Sequence, residues 1–262
     1  MLAFTHRPSP RMAECQLTFV ERGAIDFALA CRQHQEYCRV LRECGAELRV
    51  LDINLDLPDC AFIEDAAVVL DDAAIIGRMG SEARRPETAG IEHELAALVP
   101  VHRIEAPATL EGGDVLRIGR TLLVGHSSRT NAAGVSALSG LAGRHGYEVR
   151  PVRVHSCLHL KTACTALPDG RLLVNRDWLD CDGLEGFDLV DVPAGEPWGA
   201  NIACLGSVDL NPRYPVVCAA AGSPRTAELI CGLGFEVRTV DLSEFAKAEG
   251  GVTCLSIVVG SV

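Results

Sequence analysis

No run of Lys and Arg occurs in these 262 residues, and the formal net charge is −11. A chain without clustered positive charge has no electrostatic footprint for nucleic acid or an anionic membrane surface, so neither is expected as a partner. No stretch approaches the ~18 consecutive apolar residues of a membrane span. The opening residues, MLAFTHRPSPRMAEC, lack a basic segment followed by an apolar core, so no signal peptide is expected. The twelve cysteines include no C-x-x-C pair. They are scattered, often inside apolar runs such as VVCAAAG and ELICGLG, which fits buried thiols in a reducing, cytoplasmic setting. No low-complexity stretch or obvious linker divides the chain, so residues 1–262 are read as one domain with ample material for a core.

What the chain does have is a recurring pattern of elements. Short stretches rich in Val, Leu and Ile appear at 46–53, 99–106, 147–154, 187–194 and 235–242, and each reads as a strand. Between them lie hairpin-like pairs: AFIEDAAVVLDDAAIIGR turning at Asp71-Asp72, TLEGGDVLRIGRTLLVGHS turning near Gly119, LKTACTALPDGRLLVNR with a Pro-Asp-Gly turn, and NIACLGSVDLNPRYPVVCAA turning at Asn211-Pro212. Helical stretches lead out of the hairpins. The best, over 26–45, predicts a buried face of Phe27, Ala30, Cys31, Tyr37, Cys38 and Leu41, with Gly45 as its stop. A fifth hairpin is half present: GVTCLSIVV is one strand, and the N-terminal MLAFTH is its expected partner. The predicted fold is therefore α/β, a propeller of five ββαβ modules with fivefold pseudosymmetry, its ring closed by the N- and C-terminal strands.

Rotation about one axis brings equivalent positions together. At the start of the first hairpin strand stand Glu64 and Asp65, then Glu111, then His159, then Asn201, then Cys254. Carboxylates, an imidazole, an amide and a thiol would then share one pocket. A thiolate is a strong nucleophile when its pKa is lowered or a base assists. Histidine can donate a proton and later accept one. Carboxylates hold a planar cation by paired charge-assisted hydrogen bonds. Together these point to attack on a cationic amidine or guanidine carbon, with a small molecule as the partner.

Each residue has a plainer reading. Cys254 could be another buried strand cysteine, His159 a satisfied core histidine, and Arg84 and Arg129 surface arginines. His155, Cys157 and His159 alternate along a strand and so share a face. Same-face neighbours ~6–7 Å apart rarely wrap one ion, so no dedicated metal site is expected. Gly112-Gly113 lacks the spacing of a phosphate-binding loop.

Seven stretches, in order, carry a family resemblance: RPSPRMAECQLT, LPDCAFIEDAAVV, GSEARRPET, LEGGDVLRIGRTLLVGHSSRTNAAG, LHLKTACTAL, NIACLG and EGGVTCLS. Over essentially its whole length the chain resembles the dimethylarginine dimethylaminohydrolases of the guanidino-modifying pentein superfamily. The resemblance implies Cys254 as nucleophile, His159 as acid and base, and Glu111 as its acidic partner. It implies Asp65, with Glu64 beside it, at the substrate guanidinium, and Arg84 and Arg129 at the α-carboxylate. It places Asp59 and the Leu17 and Ala248 backbones at the α-amino end. It implies hydrolysis of Nω-methylated arginine to citrulline and an alkylamine without a cofactor, and a homodimer; apart from the resemblance, adventitious zinc at the Cys254–His159 pair is expected only as an inhibitor. The residues after Thr18 match no family pattern, so the preferred substituent stays open. Arginine deimination, amidino transfer and non-catalytic binding of arginine analogues are the alternatives.

Overall fold

The computed structural model describes residues 1–205 and 216–260. In chain order its elements are β1 (Leu2–His6), α1 (Phe27–Glu43), β2 (Glu47–Leu51), β3 (Ala67–Val69), β4 (Ala74–Ile76), α2 (Glu87–Ala96), β5 (Val101–Arg103), β6 (Val115–Ile118), β7 (Thr121–His126), α3 (Ala132–Gly143) and β8 (Glu148–Arg153). There follow α4 (Leu160–Ala163), β9 (Cys164–Ala166), β10 (Leu172–Val174), β11 (Leu189–Asp191), β12 (Ile202–Leu205), β13 (Val216–Ala220), α5 (Pro224–Gly232), β14 (Glu236–Val240), α6 (Ser243–Ala246) and β15 (Ile257–Val259). No described helix is long and apolar enough to cross a membrane.

These strands form five three-stranded sheets. Every sheet repeats one plan: its middle strand pairs antiparallel with the first hairpin strand and parallel with the strand that follows the crossover. The expected closure is present, since β1 pairs antiparallel with β15 in the register Leu2↔Val259, Ala3↔Val258 and Phe4↔Ile257. The turn glycines fit their places, with Gly119 at φ 56° and Gly170 at φ 86°, where a side chain would be strained. The expected turn at Asn211-Pro212 lies outside the described residues.

Two local expectations change. The crossover from β10 to β11 contains no α-helix but two single 3-10 turns, Arg176–Trp178 and Cys181–Leu184. Its sequence, RDWLDCDGLEG, is rich in Asp and Gly, which favour turns over helix interiors. Helix α1 is capped by Asp26, whose side chain accepts from Leu29 N at 2.9 Å. It buries Ala30, Tyr37, Cys38 and Leu41 as expected, but Phe27 is exposed and Cys31 only half-buried. Gln33 and His34 are buried instead. Gln33 donates to Ser243 Oγ and accepts from Glu244 N, which docks α6 on α1.

Candidate active site

Four of the five modules present their polar residue from a single tight helical turn just before the first hairpin strand. Asp65 lies in the turn Ile63–Ala66, Glu111 caps Gly112–Asp114, His159 caps α4, and Cys254 lies in Thr253–Leu255. These turns pack against one another. A side chain on Gly113 would lie 2.6 Å from Asp65 Oδ1 and 2.7 Å from His159 Nδ1, and one on Gly112 only 2.0 Å from Glu64 O. The glycine pair of EGGDV is thus required for close approach of neighbouring modules.

The convergence yields a narrow cavity of about 10 Å³ bordered by Asp59, Asp65, Arg84, Arg129, His159 and Cys254, with Gln16, Phe62, Leu158, Ala248 and Glu249. His159 Nε2 lies 2.7 Å from Glu111 Oε2, and its Nδ1 lies 3.7 Å from Asp65 Oδ1. Burial alone would lower the His159 pKa, but Asp65 and Glu111 overcome it and raise the value to about 9. Burial would likewise raise Glu111, yet the bond from His159 and the nearby arginines hold it down to about 2. At neutral pH the pair is imidazolium and carboxylate. Cys254 differs: burial, with Glu64 and Asp65 nearby, pushes its thiol up to about 12, outweighing the Gly251 N–H and Lys161. At neutral pH the sulfur carries its proton.

Arg84 and Arg129 approach Glu111 from two sides, at 4.0 and 3.9 Å. Arg84 is almost fully buried and heavily engaged. It donates to Asp65 Oδ2 at 2.7 Å, to Phe62 O at 3.2 Å and to Glu87 Oε2 at 2.9 Å. Arg129 is freer and donates to Thr18 Oγ1 at 3.1 Å. Asp59 accepts the Gln16 N–H through both oxygens, at 3.1 and 3.2 Å. Ala248 borders the cavity, whereas Gln16 rather than its half-buried neighbour Leu17 does so on the N-terminal segment.

Glu64 and Asp65 are sequence neighbours that part company. Glu64 borders a different cavity, of about 520 Å³, which neither Cys254 nor His159 reaches. One of its oxygens takes Lys161 Nζ at 2.6 Å and the other takes Thr253 Oγ1 at 2.7 Å. Asn201 completes this support: its Nδ2 donates to Lys161 O at 2.8 Å and Thr253 Oγ1 at 3.0 Å, and its Oδ1 accepts Thr253 N at 3.1 Å. The residue before the nucleophile candidate is thereby fixed to two neighbouring modules.

Sequence reading overlooked Glu87, Asp114, Lys161, Thr253 and Glu249. Glu87 follows Arg84 by three residues on the way into α2, a spacing that pairs charges on a helix. Asp114 is fully buried, with Leu160 N at 2.9 Å and Ser127 Oγ at 2.7 Å, and burial raises its pKa to about 6. Its only signal was an acid inside the apolar flanks of EGGDV.

Asp65, Glu111 and His159 also present three ligand atoms within 4.8 Å of one another, a spacing that could hold a metal ion. The Glu111–His159 bond and the Arg84 guanidinium already occupy those donors, so a cation would have to displace both. The alternating trio does not converge: His155 is exposed, and Cys157 is buried with its Sγ on His159 O at 3.4 Å.

Comparison with known proteins places the whole chain in one family. A family model described as arginine deiminase matches residues 53–185. A dimethylarginine dimethylaminohydrolase of Streptomyces coelicolor is 44% identical, the match covering 97% of this chain and 95% of that one. Its counterpart from Pseudomonas aeruginosa is 37% identical over 92% of each. A solved structure of the Pseudomonas aeruginosa enzyme, a cysteine-to-serine mutant complexed with citrulline, has a TM-score of 0.89 at 33% identity and covers 98% of both chains. A dimethylarginine dimethylaminohydrolase adduct with S-methyl-L-thiocitrulline, of a histidine-to-glycine variant, also has a TM-score of 0.89, at 35% identity and 98% coverage of both chains.

Proposed function

The chain belongs to the dimethylarginine dimethylaminohydrolase family, and we propose that Cys254 and His159 carry out its hydrolysis of Nω-methylated L-arginine to L-citrulline and methylamine or dimethylamine. The observation that supports these roles most directly is the placement of Cys254, Asp65 and His159 around one cavity, with Glu111 bonded to His159 behind it.

A substrate guanidinium brings positive charge to a site where carboxylates keep the sulfur protonated. That charge favours loss of the thiol proton to solvent. The thiolate adds to the guanidino carbon, forming a C–S bond and a neutral tetrahedral centre. The imidazolium of His159 gives its proton to the alkylated nitrogen, the C–N bond breaks, and the amine leaves a thiouronium on Cys254. Neutral His159 then takes a proton from water as hydroxide adds to that carbon. The C–S bond breaks, citrulline forms, and the remaining proton ends on the amine as alkylammonium. Glu111 keeps His159 oriented and supports its charged form. Each step uses Cys254, His159 and water, so the reading requires no cofactor. Zinc, if bound, would be held by Cys254 and His159 and would act only as an inhibitor.

Arg129 takes the α-carboxylate, with Arg84 behind it holding Asp65. Asp65 faces the guanidinium, Asp59 and the Ala248 backbone face the α-amino end, and the family likeness adds the backbone of Leu17, next to the cavity-lining Gln16. Glu64 acts through Thr253, holding the turn that carries the sulfur. The same reading, through the family likeness, takes a homodimer in the cytoplasm. Citrulline formation from dimethylarginine, monomethylarginine and arginine tests the substrate. Product from the methylated forms is expected, and product from arginine alone would favour deimination instead.

A further inference from the structure

Among the described residues one buried side-chain polar atom has no hydrogen-bond partner, Glu249 Oε2. Its position is informative. Glu249 is only 6% exposed, and it borders the same narrow cavity as Cys254, His159 and Asp59. Its other oxygen is fully committed: Oε1 accepts the backbone N–H of Thr18 at 2.9 Å, of Phe19, and of Val20 at 2.7 Å. Among the described residues no Lys, Arg or His forms an ion pair with this carboxyl group. Its backbone is in the left-handed region, at φ 60°, an uncommon state for a residue other than glycine. A buried acid with one orphaned oxygen and no cation is costly unless a ligand supplies both.

We propose that Glu249 is a substrate-binding residue whose free oxygen accepts the substrate's α-ammonium while its other oxygen holds the N-terminal segment over the site. The inference rests on the amino-acid substrate assigned above and adds a side-chain acceptor to its α-amino end. Asp59 stands on the same cavity and gives the ammonium a second acidic neighbour. An ammonium has three donors and a full charge, and a charge-assisted bond to a buried carboxylate is among the stronger polar contacts. Selection for a free α-amino group and closure of residues 18–20 then pass through one carboxyl group. Arg129 joins the same arrangement, because it donates to Thr18 Oγ1 from the carboxylate end of the site. A ligand with both α-groups therefore engages two residues that grip the segment, and a ligand lacking the amine engages one.

The test compares binding of NG,NG-dimethyl-L-arginine with its deamino analogue, the same molecule without the α-amino group. Both are titrated calorimetrically into full-length Cys254→Ser, which cannot turn them over, and into Cys254→Ser with Glu249→Gln. The glutamine keeps an oxygen for the three backbone N–H groups but removes the charge. The first protein should prefer the amino acid by about tenfold or more. Glu249→Gln should erase most of that preference while changing affinity for the deamino analogue less than about twofold. A preference unchanged by Glu249→Gln overturns the proposal, and so does an equal loss for both ligands. Partial misfolding lowers both affinities together and does not alter their ratio. Citrulline production by the wild-type chain is measured alongside. Its absence would sink the proposed reaction, whereas the ligand ratio reads Glu249 independently of turnover.

Discussion

His159 Nε2 sits 2.7 Å from Glu111 Oε2, inside a site where neither side chain is open to solvent. That bond joins two adjacent modules of the ring and sets the protonation of the group that must hand a proton to the departing amine.

The pair makes the fold sensitive to pH. A histidine whose folded pKa is raised to about 9 contributes stability that is complete below its unfolded value near 6.5. That contribution is lost as pH rises through 9. Thermal melts of the wild type and His159→Asn should therefore converge as pH rises from about 6.5 to 9. The depressed Glu111 acts at the other extreme, with stability present above its unfolded value and lost as pH falls towards about 2. Melting curves that stay parallel from pH 6 to 9 would contradict the assignment of His159 as the charged partner.

The thiol of Cys254, pushed up to about 12, should lose its proton when a guanidinium ligand enters. Calorimetric titration of such a ligand in buffers of different ionisation enthalpy should reveal release of about one proton per site near neutral pH. Cys254→Ser should release none. Equal proton release by the two proteins would place the titrating group elsewhere.

Arg84 and Arg129 should fail in different ways. Arg84 neutralises two buried carboxylates, Asp65 and Glu87, so Arg84→Met should cost on the order of 3–5 kcal/mol of stability. Beyond its 3.9 Å approach to Glu111, Arg129 makes one side-chain hydrogen bond, to Thr18, and lies at the cavity wall. Arg129→Met should raise KM by about tenfold or more with a melting point close to wild type. Chemical denaturation alongside steady-state kinetics separates the two effects.

Glu64 should prove to be a support rather than a direct substrate contact. Lys161→Met leaves Glu64 buried without its cation and should destabilise by roughly 3 kcal/mol. Adding Glu64→Gln to that variant should recover part of the loss, giving a coupling energy of about 1 kcal/mol or more in a double-mutant cycle. In Glu64→Gln alone, kcat should fall through the Thr253 turn while KM stays near wild type. A large rise in KM with kcat unchanged would instead put Glu64 on the substrate.

Much of this site was readable before any coordinates, because equivalence between modules is a statement about chain order. Asp65, Glu111, His159 and Cys254 follow from asking what precedes each first hairpin strand, and the β1–β15 closure follows from an orphaned strand at each end. Orientation was not readable in that way. Glu64 and Asp65 differ by one position on a single 3-10 turn, and no pattern of apolar residues says which carboxylate lines the cavity beside His159. The engagement of Arg84 by Asp65 and Glu87 depends on side chains crossing between elements far apart in sequence. The missing helix before β11 was hidden because the module plan overrode its Asp- and Gly-rich composition. Glu249 gave no sequence signal beyond its place beside Gly250-Gly251. Its importance comes from an unpaired oxygen, which only a structure reveals.

The most direct measurement is intact-protein mass spectrometry after acid quench of His159→Gly mixed with NG,NG-dimethyl-L-arginine. Because His159 also protonates a departing amine, the variant is supplied in parallel with S-methyl-L-thiocitrulline, whose methanethiolate leaves without a proton; with the water-activating residue gone, the covalent stage should then accumulate as a thiouronium adduct. Peptide mapping should locate that mass on Cys254, while the wild type releases citrulline. A chain that yields citrulline with Cys254→Ser as fast as wild type, or an adduct on a different residue, would contradict the account.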